Sequence, residues 1–426
     1  EMFAALMCLL ATWLALNSPA PGQRMDSQEQ WKRIALYGLL GLIVGLALWV
    51  DLLIVPFAAG VALLLGLFCR RELLRWQGLA VLLGFVVGAF PLIYYNLSAP
   101  WAENSWFVLQ QIEQGSAAAM LAQHLTWVNQ LTGTLFIALP MATGGGLQCP
   151  SGAIPPAGTP SAVTLPCVLF QGGWGIGYVV FWFIGVSLVV LQSGAIGRYG
   201  VHPARGGFQC GDLEARQEAI RLSARLMILG SVGLTLLLYT ASPVPATVAD
   251  TSFRYLTCLL LAVPVLLWPV WRGLNVQNIA SRGIRTKIGL LLRAGVLLLV
   301  VSTFAIGTVR AFLETPAAQE AYQRDEAIVQ DLLDIGATRI YSEYWTCNVL
   351  TFLSHEKIIC SALDEGLKPG YDRYLPYRFI VQATLHPTYI FPIGTRAAAA
   401  IQQRVRSTTA HYRYYTFEGY VVYQTT

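Results

Sequence analysis

The sequence predicts a polytopic α-helical membrane protein of about eight spans, followed by a small α/β domain outside the membrane. Three observations carry that expectation. Of 426 residues, 55% are hydrophobic and only 12% are charged, against about 25% in ordinary soluble domains; mean hydropathy is +0.54. The apolar residues gather in blocks close to the length that crosses roughly 30 Å of hydrocarbon as helix. The stretch from Arg310 onward instead holds 11 of the 28 Lys and Arg and reads as a water-exposed domain. The expected boundary therefore falls between residues 1–309 and 310–426.

In chain order, the expected spans are Met2–Leu16, Ile34–Val50, Leu52–Phe68, Gln77–Tyr95, Ile176–Leu191, Arg225–Ala241, Tyr255–Trp271 and Ile288–Thr308. In hydrocarbon each must satisfy its own backbone hydrogen bonds, so helix is the expected form. The chain opens at Glu1 directly on an apolar block, with no basic stretch or cleavage site before it. It reads as the rear part of a longer protein.

Loop charge sets the direction. Arg24, Lys32 and Arg33 follow the first span. The turn at Asp51 has no cation. Arg70, Arg71 and Arg75 come next, then none across Asn96–Gly175, then Arg198, Arg205, Arg216, Arg221 and Arg225. Ser242–Arg254 has only Arg254, and the last loop carries Arg272, Arg282, Arg285 and Lys287. Alternate loops thus hold 15 and 1 cations. The basic loops are expected in the cytoplasm; Glu1, Asp51, the long segment and the C-terminal domain are expected outside a plasma membrane. Net charge of +5 does not argue for nucleic acid, because the cations sit in short loops between apolar blocks.

Within the long outer segment, Ser105–Gln130 is amphipathic, with Trp106, Phe107, Leu121 and Trp127. It reads as a helix on the membrane surface or as a buried connection. Thr132–Thr143 is apolar but too short to span, and reads as a re-entrant or interfacial segment. Gly144–Gly175 is rich in Gly, Pro, Ser and Thr and reads as a loop. Cys149 and Cys167 lie in it, either bonded or as two thiols. Asn96-Leu97-Ser98 is a glycosylation sequon.

The last domain alternates strand and helix signals. Arg339–Trp345, Lys357–Ser361, Phe379–Gln382 and Thr388–Phe391 are strand candidates. Ala317–Ile335, Val349–Ser354 and Thr395–Arg406 are helical, and Tyr412–Thr416 with Tyr420–Gln424 reads as a hairpin around Glu418-Gly419. Cys347 and Cys360 both lie in this domain, and the sequence leaves open whether they pair. No phosphate-loop, dinucleotide, zinc-protease or serine-nucleophile motif is present.

Charge near hydrocarbon is costly unless it serves a purpose, so ionisable residues on the outer face are the first functional candidates. Asp51 is either a catalytic or metal-binding carboxylate or a turn acid capping the next helix. Arg254, with Tyr255 beside it, either grips a phosphate or anchors at the interface. Asn96, Glu103 and Asn104 either line a cavity or sit in a solvated loop. The scattered His suggest no metal site.

Several segments together carry a family resemblance. These are Gly41-Leu-Ile-Val-Gly-Leu-Ala-Leu-Trp49 with Asp51 and Pro56, and Gly84-Phe-Val-Val-Gly-Ala-Phe-Pro91 leading to Tyr95-Asn96. Arg254-Tyr255-Leu256 and, in the last domain, Tyr341-Ser-Glu-Tyr-Trp345, Leu350-Thr-Phe-Leu-Ser354, Glu356 and Arg373-Tyr374-Leu-Pro-Tyr377 complete the set. As an ordered set they resemble polytopic C-type glycosyltransferases of the protein-mannosyltransferase and lipid A aminoarabinose-transferase type. The resemblance implies transfer of a sugar from a polyprenyl-phosphate donor to a lipid, glycan or protein acceptor at the outer face of the cell envelope. It implies that a carboxylate handles the acceptor hydroxyl, and that cations, sometimes with a divalent metal ion, hold the leaving phosphate. The principal acid of such enzymes would lie before Glu1. Within the chain, Asp51, where some relatives carry a Lys, and Glu1 are the catalytic candidates; Arg254 is the donor-phosphate candidate, supported by Tyr255. Two other classes remain open: a transporter or flippase of lipid-linked sugars, and a non-catalytic membrane assembly protein.

Overall fold

The structure is a computed structural model and describes residues 1–19, 26–101, 104–122, 124–146, 165–198, 213–272, 284–372, 374–408 and 411–425. The chain divides into two compact units, Glu1–Arg310 and Ala311–Thr426.

In the first unit, helices α1 (Met2–Leu16), α2 (Ser27–Val50), α3 (Val55–Phe68), α4 (Arg70–Leu73) and α5 (Trp76–Ser98) follow one another. A 3-10 turn at Leu52–Ile54 joins α2 to α3. Next come α6 (Ser105–Ala122), α7 (Trp127–Thr132) and α8 (Leu139–Ala142), the last two linked by a π-helical stretch at Gly133–Ala138. Then follow α9 (Leu165–Arg198), α10 (Leu213–Ala241), α11 (Val244–Ser252) and α12 (Val263–Arg272), with a 3-10 run at Phe253–Ala262 between the last two. Helix α13 (Ile284–Asp334) runs from the first unit into the second.

Six of these helical stretches are long and apolar enough to cross a membrane: Ser27–Val50, Trp76–Ser98, Leu165–Ser193, Glu214–Ala241, Val244–Arg272 and Lys287–Asp334. Met2–Leu16 and Leu52–Phe68 are shorter apolar helices. Large apolar side chains stand exposed along them, among them Leu63, Leu83, Val87, Phe183, Leu237 and Leu298. Such surface has no place against water and is compatible with an integral membrane protein.

Two departures from the expected elements have a common cause. Helix α9 starts at Leu165, inside the stretch read as loop. Pro166 sits in its first turn, where a missing N–H costs nothing. Two of its glycines serve close packing: a Cβ at Gly172 would strike the Phe136 ring, and one at Gly175 the Leu135 backbone. Glycines that read as loop residues are therefore contacts with the π-helical stretch. That stretch is itself pressed on the other side, since Gly133 has no room for a Cβ beside the Pro245 carbonyl. The apolar block Thr132–Thr143 is accordingly a mostly buried helical segment packed between α9 and α11.

Side chains tie the helices together through backbone carbonyls. Tyr178 Oη donates to Leu259 O (2.9 Å), Trp182 Nε1 to Leu229 O (2.8 Å) and Ser231 Oγ to Pro56 O (3.0 Å). At another point Arg33 is wholly inside, its Nε donating to Glu72 Oε2 (2.7 Å) and its Nη1 to Asn17 O (2.9 Å). Arg216 donates to Ser18 O (3.0 Å). Thus α1, α2, α4 and α10 are joined by buried polar contacts.

The second unit is a five-stranded sheet of order β2-β1-β3-β5-β4. Its strands are β1 (Arg339–Ser342), β2 (Ile359–Ala362), β3 (Thr388–Pro392), β4 (Tyr412–Phe417) and β5 (Tyr420–Thr425). β1 runs parallel to β2 and β3, while β5 is antiparallel to β3 and β4. Helices α14 (Tyr344–Leu353), α15 (Leu375–Gln382) and α16 (Arg396–Ser407) complete the unit. Ile328, Leu332, Ile340, Leu350, Ile390 and Val422 pack into one apolar cluster between the end of α13, α14 and the sheet. Phe379–Gln382 is helix rather than the expected strand. A short apolar run does not separate the two by pattern; Pro376 in the first turn and Arg378, turned back to Asp372, fix it as helix.

Candidate functional site

The end of the first unit where α2 meets α3 collects several of the candidate residues. Asp51 breaks the helix: its extended backbone (φ −157°, ψ 123°) stops α2, and its Oδ1 accepts from Leu53 N at 2.9 Å to start the 3-10 turn. The capping role is therefore real, and it engages one carboxylate oxygen. Glu1 stands exposed at the start of α1 and makes no side-chain capping bond.

The 3-10 run Phe253–Ala262 reaches the same end. Such runs rarely exceed three or four residues; this one has 10. It is held on several sides. Tyr178 grips the Leu259 carbonyl, and the Tyr239 hydroxyl lies 2.6 Å from Ser252 Oγ just ahead of it. Val248, with φ −142° and ψ 42°, kinks α11 above it. At the opening of the run, the Arg254 guanidinium lies over the Tyr255 ring, 5.3 Å from its centroid. Both side chains are exposed. One turn on, Cys258 is close enough to Glu1 and Asp51 to feel both charges. Two carboxylates and the segment opened by Arg254 thus share one end of the unit.

Asn96 and Asn104 come together in a different arrangement. Asn96 Nδ2 donates to Leu92 O (2.8 Å) and Ser105 Oγ (3.1 Å), and its Oδ1 accepts from Ser105 N (2.8 Å). Asn104 Oδ1 accepts from Trp106 N at 3.0 Å. The pair satisfies the unpaired donors at the start of α6, joining it to α5; the sequon amide is spent on this joint. Glu103 lies outside the described residues. Cys167 is disulfide-bonded; Cys149 lies outside the described residues.

Among the described residues no group of three or more His, Cys, Asp or Glu could hold a divalent metal; one Asp51 oxygen is engaged with Leu53 N.

Beside Tyr178, a cavity of about 400 Å³ opens between α9, α12 and α13, lined by residues such as Phe170, Trp174, Phe181, Leu266 and Leu299. It is apolar almost throughout. Trp174 forms one wall, held by Nε1 to Thr143 Oγ1 (2.9 Å) and by an edge contact with Phe304. No local sequence feature signals this cavity, because its walls come from spans far apart in the chain. The π-helical stretch was equally hidden; the signal for it was the glycine pattern at Gly133, Gly172 and Gly175.

Comparison with protein-family models, characterised proteins and solved structures yields no match to this chain.

Proposed function

We propose that the chain is a membrane glycosyltransferase of the plasma membrane, with the Asp51 end and the C-terminal unit on the outer side. The observation that carries this reading is the gathering of Glu1, Asp51 and the Arg254-Tyr255 opening at one end of the first unit. The alternation of basic and cation-poor loops assigns that end to the outside.

In the proposed reaction a sugar passes from a polyprenyl phosphate to an acceptor hydroxyl. The hydroxyl oxygen forms a bond to the anomeric carbon, the bond from that carbon to the phosphate oxygen breaks, and polyprenyl phosphate leaves with the electron pair. The hydroxyl proton passes to a carboxylate. Glu1 is better suited than Asp51, whose oxygen is engaged with Leu53 N. The leaving phosphate gains charge and needs a fixed cation; Arg254, a guanidinium able to bind two phosphate oxygens at once, supplies it from its place over Tyr255. The apolar cavity beside Tyr178 suits the polyprenyl chain. A transporter would be expected to carry ionisable groups near mid-membrane, a pattern the apolar spans do not offer.

The test is donor binding. A photoreactive polyprenyl phosphate should label the complete protein in vesicles, and Arg254→Ala should lose most of that labelling while Arg272→Ala keeps it. Equal labelling of both variants would remove Arg254 from the proposal.

A further inference from the structure

The second unit contains a pocket that the transfer reaction does not use. It has a volume of about 500 Å³, within the range of small-molecule sites. Helix α14 supplies Tyr344, Asn348 and Phe352 to it, one stripe at a spacing of four residues. The loop before α15 supplies Tyr371 and Asp372, and α15 with its cap supplies Tyr374 and Tyr377.

The walls are built rather than incidental. The disulfide Cys347–Cys360 ties α14 to β2, and both cysteines line the pocket. Asp372 is almost fully buried and organises the loop: Oδ1 accepts from Ala362 N (2.6 Å), and Oδ2 from Ser361 Oγ (3.2 Å) and Arg378 Nε (2.7 Å). Arg378 also donates to the Gly370 carbonyl. At the rim, His355 and Glu356 both take left-handed backbone, φ +49° and +61°, a conformation non-glycine residues adopt at a cost. Glu356 N donates to Thr351 O (2.9 Å) to hold the turn, which brings the Glu356 carboxylate onto the Tyr377 hydroxyl. Burial first, and that carboxylate second, raise the Tyr377 phenol above its usual range.

The lining chemistry narrows the ligand. Four tyrosines present ring faces and hydroxyls together. Tyr344 and Tyr371 lie 5.7 Å apart and tilted, and Tyr374 and Tyr377 lie 4.8 Å apart at 75°. Tyr371 and Tyr374 are 43% and 55% exposed. The lining also holds the Asn348 amide, whose Nδ2 donates to Tyr344 O (2.7 Å) and whose Oδ1 remains an acceptor, and the Glu356 carboxylate. Among the described residues no Lys or Arg lines the pocket; Asp372 is offset by Arg378, and the Glu356 carboxylate disfavours phosphate. A pocket this rich in hydroxyls, amide and carboxylate is too polar for an acyl chain. Apolar C–H faces against negative ring faces, with hydroxyls placed to meet fixed acceptors and donors, describe a saccharide.

We propose that the C-terminal unit binds a neutral oligosaccharide in this pocket, with Tyr371 and Tyr374 stacking on sugar faces and Asn348 and Glu356 reading hydroxyls. The proposal stands on the pocket alone and does not depend on the first unit transferring sugar.

The test uses the complete protein in nanodiscs, free of sugar-headed detergents, titrated with maltotriose, cellotriose, mannotriose and chitotriose. At least one should bind, and Tyr371→Ala and Tyr374→Ala should each weaken it roughly tenfold or more. Tyr414→Ala, on the exposed face of β4, should leave it unchanged. In the unsubstituted protein the bound sugar should shield Tyr371 and Tyr374 from nitration, a readout that does not depend on a variant folding. Failure of all four sugars to bind would overturn the proposal, as would binding that leaves both tyrosines open to nitration. Binding of a proline-rich peptide, with none of the sugars bound, would overturn it and assign the pocket to peptide instead. Loss of glycosyl transfer in Arg254→Ala with sugar binding intact would separate this pocket from the donor site.

Discussion

Arg33 and Glu72 are both almost fully buried, and they form an ion pair inside the first unit. Arg33 is further satisfied by the Asn17 and Leu14 carbonyls, so it gains little from water if its partner is lost. Removing one member of a buried pair leaves an uncompensated charge and costs about 3–5 kcal/mol. Glu72→Ala should therefore lower stability by that amount, read as a fall in the melting temperature of the purified protein. Glu365→Ala should change it little, because the Arg396–Glu365 pair is exposed and such pairs contribute about 0–1 kcal/mol. The sequence showed Arg33 as one more loop cation. Nothing in its neighbours revealed burial, because Glu72 lies 39 residues away. The Asp51 cap was legible as one of two readings; the engagement of Asn96 with Ser105 was not, since it depends on where α6 turns back.

Among elements, α2 and α5 pack most closely. A Cβ at Gly41 would meet the Val81 carbonyl, one at Gly45 the Phe85 carbonyl, and one at Gly84 the Gly38 carbonyl. Backbones meet there without side chains between them, the geometry small residues permit in membrane helices. Gly41→Val and Gly84→Val should each cost more than the usual about 1–3 kcal/mol of overpacking, because the obstacle is backbone that cannot rotate away. Gly66→Val, where nothing lies within 4 Å, is the control, and thermal unfolding of the three variants reads the difference. The helices themselves were legible, because long apolar blocks admit one backbone solution in hydrocarbon. The start of α9 was not, because glycines that serve packing look like glycines that serve loops. Phe379–Gln382 failed for another reason: its direction was set by Arg378 reaching Asp372, a contact outside the local pattern.

For the molecule as a whole, each unit carries its own core, and they should respond separately to perturbation. The Cys347–Cys360 bond closes a short loop, with a sequence separation of 13. Loops of about this length contribute roughly 3 kcal/mol. Reduction should therefore destabilise the C-terminal unit, seen as faster proteolysis after Arg310, and leave the helices of the first unit protected. Charge along the chain foretold the division in composition near Arg310, while the single helix α13 crossing it was hidden by Pro316, which the helix tolerates. The function proposed for the whole chain is sugar transfer at the Asp51 end. The direct measurement supplies the complete protein, in sealed vesicles, with labelled sugars on polyprenyl phosphate. Label should appear in an outer-face acceptor with release of polyprenyl phosphate, and turnover should be about a hundredfold slower in Arg254→Ala. No transfer from any such donor, together with lipid-linked sugar crossing the bilayer, would make the protein a transporter instead.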